Sequence, residues 1–269
     1  MSGEGEAAAD EVASATGGFA PDDPVPDLLK SADGRSPRVE GLAALPDTPR
    51  RREVRRLAAA VRSVIESMVS TTASADQLSV AANELESLAA ALGALPTGLT
   101  YRGFAEAANA GGLVDPNDPE WFAFFDHSPF IGLANPLSPP VRLSYNDDAT
   151  RVVGEVTFGA AYEGPPSCVH GGYIAAVFDE LLGATQSLSG TQGMTAHLGV
   201  DYRSPTPLGQ SLTLDGWIDR RDGRKIYARG AMYVGDQLTA EAEALFIAFD
   251  RGKFRALLDQ RNEGLDPMP

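Results

Sequence analysis

One apolar run with helical periodicity constrains the fold more than any other feature of the chain. Residues 172–188, GYIAAVFDELLGATQSL, lie between the second and the third of six strand-like segments, and nothing comparable interrupts the others. Those segments are rich in β-branched or aromatic residues, alternate in polarity and are separated by Pro, Gly or Asp. They span residues 141–146, 151–159, 194–204, 210–221, 225–235 and 237–250. One helix against a mostly antiparallel sheet predicts an α+β domain, and the break DGR at 222–224 predicts a hairpin within it.

The chain before this domain has a different composition. Residues 1–46 combine Gly, Ala, Ser, Pro and acidic residues without periodic apolar positions, which predicts a disordered acidic arm. Residues 47–96 then carry two amphipathic helical runs, separated by Ser70–Ser74 and ended by Gly93 and Pro96. We expect these two runs to form a helical hairpin that extends the domain on its N-terminal side.

Composition and charge narrow the classes of function. With 269 residues, 43% of them hydrophobic, the chain can bury a full core. A net charge of −15 disfavours binding to nucleic acid or to anionic lipid. We expect a cytoplasmic protein without stable membrane insertion, because no apolar run approaches the length of a membrane span and the N-terminus is acidic. A single cysteine and three histidines predict no structural metal.

The apolar helix begins with glycines, in the stretch CVHGG at 168–172. If the helix starts at His170 or Gly171, its first backbone N–H groups have no intrahelical acceptors and carry the positive end of the helix dipole. They could stabilise an oxygen that becomes negative during a reaction, such as a thioester carbonyl under attack. Gly171 would be the principal donor. His170 could orient the turn or touch a substrate, and an ordinary capping or packing role is the alternative.

A carboxylate on the same helix completes the candidate chemistry. Asp179 lies eight residues after Gly171, which places the two about 12 Å apart along one helix. One copy of the helix therefore cannot bring both groups to one carbonyl. Two antiparallel copies packed across a twofold axis would do so, which predicts an obligatory homodimer with two composite sites. The small residues of the helix would permit such close approach: Gly172, Ala175, Ala176, Gly183 and Ala184.

The segment YEGPPSCVHGGYIAAVFDELLG, followed by TAHLGVDYRSPTPLGQSL, resembles a known family over roughly residues 115–250. It is similar to the PaaI-type branch of the hotdog-fold acyl-CoA thioesterases, in the group of thioesterase superfamily members 4 and 5. The resemblance implies a hotdog fold, in which an antiparallel sheet wraps a central helix. In the family a catalytic acid follows the histidine of the H-G-G turn by nine residues, which is Asp179 here, and a threonine sixteen residues further on is Thr195.

The resemblance also implies a mechanism. Asp179 would activate water or attack the thioester directly, Gly171 would hold the carbonyl oxygen, and Thr195 would support Asp179 or the attacking water. No cofactor is implied, because coenzyme A is part of the substrate. Glu180 is the neighbouring acid, but adjacent helical residues point about 100° apart and the spacing favours Asp179. Strict strand alternation puts Thr195 on the side of the strand opposite its apolar face, and a β-bulge near 196–197 would turn the threonine back to that face.

Coenzyme A carries phosphates, and an acidic protein must still bind them. Basic residues on the predicted hairpin and after the third strand could supply that charge, with a solvated hairpin tip as the alternative. The candidate substrate-binding residues are Gly172, Asp201, Arg203, Arg224 and Lys225.

Two other functions stay open. A non-catalytic acyl-CoA-binding or assembly subunit could use the same pocket without turnover. A hotdog hydratase or dehydratase is less favoured, since the Asp-x-x-x-x-His pairing of those enzymes is missing: the residues five before the three histidines are Phe122, Pro165 and Gln192. We expect a homodimer or a dimer of dimers in either case.

Overall fold

The computed structural model describes Val39, residues 45–96 and residues 123–248. The predicted arm over residues 1–46 falls almost entirely outside the described residues, as do residues 115–122 and 249–250 of the predicted domain. The helices are α1 (Pro49–Ser70), α2 (Ala75–Gly93), the single turn α3 (Ala123–Asp126) and α4 (Gly171–Thr185). The strands are β1 (Arg142–Tyr145), β2 (Arg151–Thr157), β3 (Gly193–Tyr202), β4 (Ser211–Asp222), β5 (Lys225–Val234) and β6 (Gln237–Ala248).

The six strands form one antiparallel sheet in the order β1-β2-β4-β5-β6-β3. The predicted α+β class is confirmed, with α4 entering between β2 and β3. The predicted hairpin at 222–224 is also present: Asp222 pairs with Lys225, and Gly223 has the positive φ of 52° that this turn requires. β3 follows α4 in the chain but lies at the edge of the sheet, beside β6.

The core lies between α4 and the sheet. Val177, Phe178, Leu181 and Leu182 are fully buried on the sheet-facing side of the helix. Two glycines, Gly216 on β4 and Gly230 on β5, are cross-strand partners beneath it. A Cβ at Gly230 would lie 3.1 Å from the side chains of Leu181 and Leu182, and one at Gly216 would overlap the hydroxyl of Thr185. These glycines let the helix approach the sheet closely, which fixes the position of its opposite, exposed side.

Helix α1 is fastened to this domain by charged groups. Nε of Arg55 donates to both carboxylate oxygens of Asp126, at 2.9 and 3.0 Å, and Asp126 is 2% exposed. Further along α1, the carboxylate of Glu66 accepts a 2.8 Å hydrogen bond from the amide of Ala160, at the start of a 3-10 turn. Ala58, on the same side of α1, is 3% exposed. The side of α1 that carries these residues is therefore docked on the domain.

Helix α2 is present but does not complete the predicted hairpin. Both helices occur where the sequence predicts them, and Ser74 caps α2 through a reciprocal capping box with Gln77. None of the residues of α2 is buried, however, and every residue of Ala75–Gly93 is exposed. The expectation that α2 packs against α1 as a hairpin within one chain is therefore wrong.

Candidate active site

A histidine caps the N-terminus of α4. Nδ1 of His170 accepts a 3.0 Å hydrogen bond from the amide of Gly172, and the amide of His170 donates to the carbonyl of Tyr162 over 2.9 Å. The ring thus satisfies one of the donors that a helix start leaves without a partner. Of the roles that the sequence left open for His170, capping is the one present. Gly172, a predicted substrate contact, uses its amide within the chain.

Gly171 has an amide without an acceptor among the described residues. It is the first residue of α4, and no backbone or side-chain group in residues 45–96 or 123–248 accepts a hydrogen bond from it. Its carbonyl accepts a 2.9 Å hydrogen bond from the hydroxyl of Tyr202. A Cβ at Gly171 would lie 3.1 Å from that hydroxyl oxygen, so the glycine allows the tyrosine to lie against the turn. The Gly171 amide is thus available at the positive end of the helix.

Tyr202 is a residue that the sequence analysis missed. Tyr202 is the last residue of β3, and its position in the alternating pattern predicts only an apolar strand face. In the structure it contacts Gly171, which lies 31 positions earlier in the chain. The spacing of residues in the sequence does not reveal this contact, because the contact depends on where β3 lies in the sheet. In the structure Tyr202 is 55% exposed, which is high for a large and mostly apolar side chain and marks it as a candidate for contact with another molecule.

Asp179 and Thr195 are brought together by a β-bulge. The hydroxyl of Thr195 lies 2.9 Å from Oδ1 of Asp179 and donates to it. The register of β3 against β6 shifts between Thr195 and His197, at the place where alternation alone puts the threonine on the wrong face. The predicted bulge is therefore present. In a single chain both Asp179 and Thr195 are exposed.

The neighbouring acid, Glu180, occupies a different environment. It is partly buried, and Oε1 accepts a 3.2 Å hydrogen bond from the hydroxyl of Ser128, which is itself 2% exposed. The roughly 100° between adjacent helical side chains separates the two acids as expected. Asp179, unlike Glu180, is exposed, and it lies on the same side of α4 as the Gly171 amide, which has no acceptor among the described residues.

The small residues of α4 are divided between two sides. Gly183 and Ala184 are buried against the sheet of the same chain, so they do not serve the close approach of a second copy that the sequence suggested. Gly172 is exposed, and Ala175 and Ala176 are partly exposed. These three lead at helical spacing to Asp179, which gives α4 one side of small residues that ends in a carboxylate.

Strand β3 runs along α4 in the opposite direction. Its C-terminal residue Tyr202 contacts Gly171 at the start of the helix, and Thr195 near its N-terminus contacts Asp179 further along. The two halves of the candidate site therefore lie at opposite ends of one exposed surface, about 12 Å apart along the helix. A single chain does not bring the Gly171 amide and the Asp179 carboxylate to one atom.

Two of the predicted substrate-binding residues neutralise each other. Nε of Arg203 donates to the carboxylate of Glu241 over 2.6 Å, and the same guanidinium lies 3.0 Å from Oδ2 of Asp201. Their side chains are exposed, which makes these surface ion pairs. Two carboxylates of the same chain thus balance the charge of Arg203, so Arg203 is less suited to bind a phosphate.

Arg224 and Lys225 lie at the other end of the sheet. Lys225 pairs with Ile247 on β6, and Ile247 also pairs with Met194, the neighbour of Thr195. Nε of Arg224 donates to the carbonyl of Ala248 over 3.1 Å. Because adjacent strands are about 4.8 Å apart, Lys225 is roughly 10 Å from the beginning of β3. These two cations therefore share one end of the sheet with Asp179 and Thr195.

Two general expectations can be compared with the described residues alone. None of the helices within residues 45–96 and 123–248 is both long and apolar enough to cross a membrane. Over those same ranges, no three or more His, Cys, Asp or Glu side chains are grouped so that they could hold a metal ion. That the chain uses no metal and no cofactor stays a prediction.

The fold defines the class of protein: one helix packed across a six-stranded antiparallel sheet, with strand order β1-β2-β4-β5-β6-β3, is a hotdog fold. Residues 167–241, which include the start of α4, Asp179 and Thr195, match the model of the thioesterase superfamily. A crystal structure described as a thioesterase superfamily protein is 32% identical, with a TM-score of 0.62, and the alignment covers 76% of this chain and 97% of that one. The chain belongs to the thioesterase superfamily, as the H-G-G turn and the spacing to Asp179 predict.

Curated relatives carry a more specific name. The acyl-coenzyme A thioesterase THEM4 of Xenopus laevis is 38% identical over 105 residues, which are 38% of this chain and 47% of that protein. The acyl-coenzyme A thioesterase THEM5 of Homo sapiens is 30% identical over 86 residues, 32% of this chain and 35% of that protein. The chain thus matches about half the length, or less, of these relatives. The crystal structure has a wider match, since its coverage exceeds what residues 123–248 can account for.

Proposed function

We propose that this chain hydrolyses an acyl-CoA thioester to a carboxylic acid and free coenzyme A. The proposal rests on two groups on the same exposed side of α4: the Gly171 amide, which has no acceptor among the described residues, and the Asp179 carboxylate, which accepts a hydrogen bond from Thr195. One group can stabilise a negative oxygen and the other can accept a proton. The names of the curated relatives support coenzyme A thioesters as the substrate class.

The site is completed by a second copy of the chain. β3 is an edge strand among the described strands, and it exposes Met194 by 62% and Tyr202 by 55%. An edge with unpaired backbone groups and exposed apolar side chains favours pairing with another strand. If β3 pairs with β3 of a second copy in antiparallel fashion, the Thr195 end of one strand lies beside the Tyr202 end of the other. That arrangement brings Asp179 of one copy to the Gly171 amide of its partner, twice per dimer.

The chemistry follows from these two groups. Asp179 takes a proton from water as the water oxygen bonds to the thioester carbonyl carbon, and the carbonyl oxygen becomes negative. The Gly171 amide of the other copy donates a hydrogen bond to that oxygen. When the intermediate collapses, the carbon–sulfur bond breaks and the proton held by Asp179 goes to the coenzyme A sulfur. Direct attack by Asp179, followed by hydrolysis of the resulting anhydride, uses the same two groups and gives the same products.

The phosphates of coenzyme A would bind at the end of the sheet that carries Arg224 and Lys225. This end also carries Thr195 and Asp179 of the same chain, so an extended coenzyme A could reach from the cations to the reacting thioester. Asp201 and Arg203 lie at the opposite end, close to Gly171, where the partner's Asp179 end would approach. Their mutual ion pair favours a role at the dimer contact over a role in phosphate binding.

A complementation experiment tests the composite site. Purified full-length chain is supplied with short, medium, long and aromatic acyl-CoAs, and released coenzyme A is measured with a thiol reagent. Asp179→Asn and Gly171→Pro should each lose most of the activity when expressed alone, because one lacks the carboxylate and the other lacks the amide hydrogen. At equal expression about half of the dimers are mixed, and each mixed dimer has one intact site of two. Activity should therefore return to about a quarter of the wild-type level.

The outcomes separate the alternatives. No recovery in the mixed dimers would mean that each site lies within one chain and would overturn the composite arrangement. Binding of acyl-CoA by the wild-type chain without release of coenzyme A from any member of the panel would instead support a non-catalytic binding subunit.

A further inference from the structure

Helix α2 carries a continuous apolar stripe that none of the described residues, 45–96 and 123–248, buries. Leu78, Leu85 and Leu92 recur at intervals of seven residues and are 44%, 41% and 38% exposed. Leu88 lies between the last two on the same side and is 44% exposed, and alanines at positions 81, 82 and 89 complete the stripe. Leucines at this spacing are typical of a helix that packs against another helix along a narrow seam.

Helix α1 offers a second uncovered stripe beside its docked side. Leu57, Val64 and Met68 are 39%, 38% and 59% exposed, while Val54 and Val61 are partly buried. These five residues recur three or four apart, which places them on one side of the helix. Arg51, Arg55 and Ala58, the residues that dock α1 on the domain, lie about a quarter-turn away from that side. The stripe of α1 therefore stays available when α1 is docked.

A partner for α2 is required by helix energetics. Most of the stability of a helix in a folded protein comes from burial of its apolar side, and an isolated helix of this length is marginal in water. The capping box of Ser74 and Gln77 assists only the first turn. The connection to α1 is extended at both ends, with ψ of 146° at Thr71 and 161° at Ser74, and every residue of α2 is exposed, so α2 does not pack along α1 of the same chain.

The charges of the two helices select the partner. α1 contains six arginines and two glutamates, whereas α2 contains Asp76, Glu84, Glu86 and no lysine or arginine. Glu84 and Glu86 lie on either side of the apolar stripe, so two α2 helices packed on each other would bring like charges together. α1 of another copy offers an apolar stripe, and it keeps a net positive charge although Arg51 and Arg55 share Asp126 and Arg62 donates to a backbone carbonyl. We propose that α2 packs on α1 of a second copy of this chain, with the two copies exchanging their α2 helices reciprocally.

Cysteine pairing in the full chain tests this contact. In a Cys168→Ser background, one copy carries Val61→Cys, at the middle of the α1 stripe, and a copy enlarged by a fused tag carries Leu85→Cys, at the middle of the α2 stripe. The two are co-expressed and mildly oxidised. Because the midpoints of two paired helices meet whether they run parallel or antiparallel, we expect a disulfide between the two chains of different size.

The control is on the same helix. Val80 is 60% exposed but lies outside the stripe, so Val80→Cys should link to Val61→Cys roughly tenfold less than Leu85→Cys does. The proposal is overturned by any of three results: Leu85→Cys links mainly to itself, a chain that carries both substitutions closes only within itself, or no link forms above the Val80→Cys level. Adding Leu88→Asp to the Leu85→Cys copy should remove the link while Val80→Asp retains it, with circular dichroism confirming that both copies remain folded.

Discussion

The hydroxyl of Thr195 donates a 2.9 Å hydrogen bond to Oδ1 of Asp179, across sixteen residues of sequence. The contact depends on a shift of strand register between Thr195 and His197, without which the threonine would face away from the helix. No other residue of the described ranges hydrogen-bonds to Asp179 through a side chain. Thr195 therefore holds one carboxylate oxygen, and in the proposed mechanism the other acts on a water molecule or a substrate carbon.

Replacing Asp179 by Asn should abolish most of the hydrolysis and leave binding intact. The amide keeps the size and the hydrogen-bonding capacity of the side chain but cannot accept a proton, so we expect kcat to fall by about 10²- to 10⁴-fold. The measurement is release of free coenzyme A together with acyl-CoA binding by calorimetry. Glu180→Gln is the matched control and should retain most of the activity, because the Glu180 side chain hydrogen-bonds to buried Ser128 and does not share the exposed side of Asp179. Full activity in Asp179→Asn would remove the residue from its role.

Thr195→Val should lower kcat without a comparable change in KM. Valine has nearly the same shape as threonine but cannot donate, and a hydrogen bond to a charged group contributes about 1.5–3 kcal/mol. If part of that energy positions Asp179 for the reaction, kcat falls by roughly tenfold. Thr195→Ser retains the hydroxyl and should recover much of the rate. Equal rates for the Val and Ser variants would show that the hydrogen bond is only structural.

A pair of substitutions at Gly171 isolates its amide hydrogen. Both Gly171→Ala and Gly171→Pro add a Cβ that lies 3.1 Å from the hydroxyl oxygen of Tyr202, and this exposed side chain can move. Only proline removes the N–H, and it fits the first position of a helix after His170, whose ψ is 130°. We expect kcat to fall about 10²- to 10³-fold further in the proline variant than in the alanine variant. Similar rates in the two would exclude the amide as an oxyanion donor.

Much of the fold and half of the site could be predicted from local patterns. The helix between the second and third strands and the hairpin at 222–224 follow from periodicity and turn chemistry, which act over a few residues. The bulge before His197 is expected only because the family resemblance places Thr195 beside Asp179, against strict strand alternation. The capping role of His170 also follows from its place immediately before a helix.

Contacts between distant elements could not be predicted in the same way. Tyr202 meets Gly171 only because β3 crosses to the edge of the sheet, and Arg55 meets Asp126 across 71 residues. The expected packing of α2 on α1 within one chain is wrong for a different reason. Its amphipathic pattern indicates that it buries an apolar side, but the pattern does not say against which chain.

His127 should make the stability of the fold depend on pH. Burial lowers the pKa of His127, the nearby Asp126 opposes this, and Arg50 and Arg51 add to it. The unfolded chain keeps a pKa near 6.5, so below that pH it binds more protons than the folded chain does. The stability from neutral His127 is therefore complete above about pH 6.5 and is lost as pH falls toward the lower folded-state pKa. Urea unfolding between about pH 7.5 and 5 should show a steeper loss in wild type than in His127→Gln, and parallel profiles would contradict the prediction.

The anchor of α1 should be far more sensitive than its surface ion pairs. Asp126 is 2% exposed and faces both Arg55, at 2.9 Å, and Arg51, at 3.8 Å, so Asp126→Asn leaves a largely buried Arg51 without its carboxylate. We expect the free energy of unfolding in urea to fall by about 3 kcal/mol, with faster proteolysis within Pro49–Ser70.

Asp47→Asn is the matched control for that change. Asp47, which precedes α1, pairs with Arg52 of that helix at 2.7 Å, but the two side chains are 72% and 55% exposed. Water and salt screen such a pair, so its loss should cost less than about 1 kcal/mol. Equal effects of the two substitutions would mean that α1 is held by its apolar contacts, such as Ala58, and that the charged cluster around Asp126 contributes little to docking.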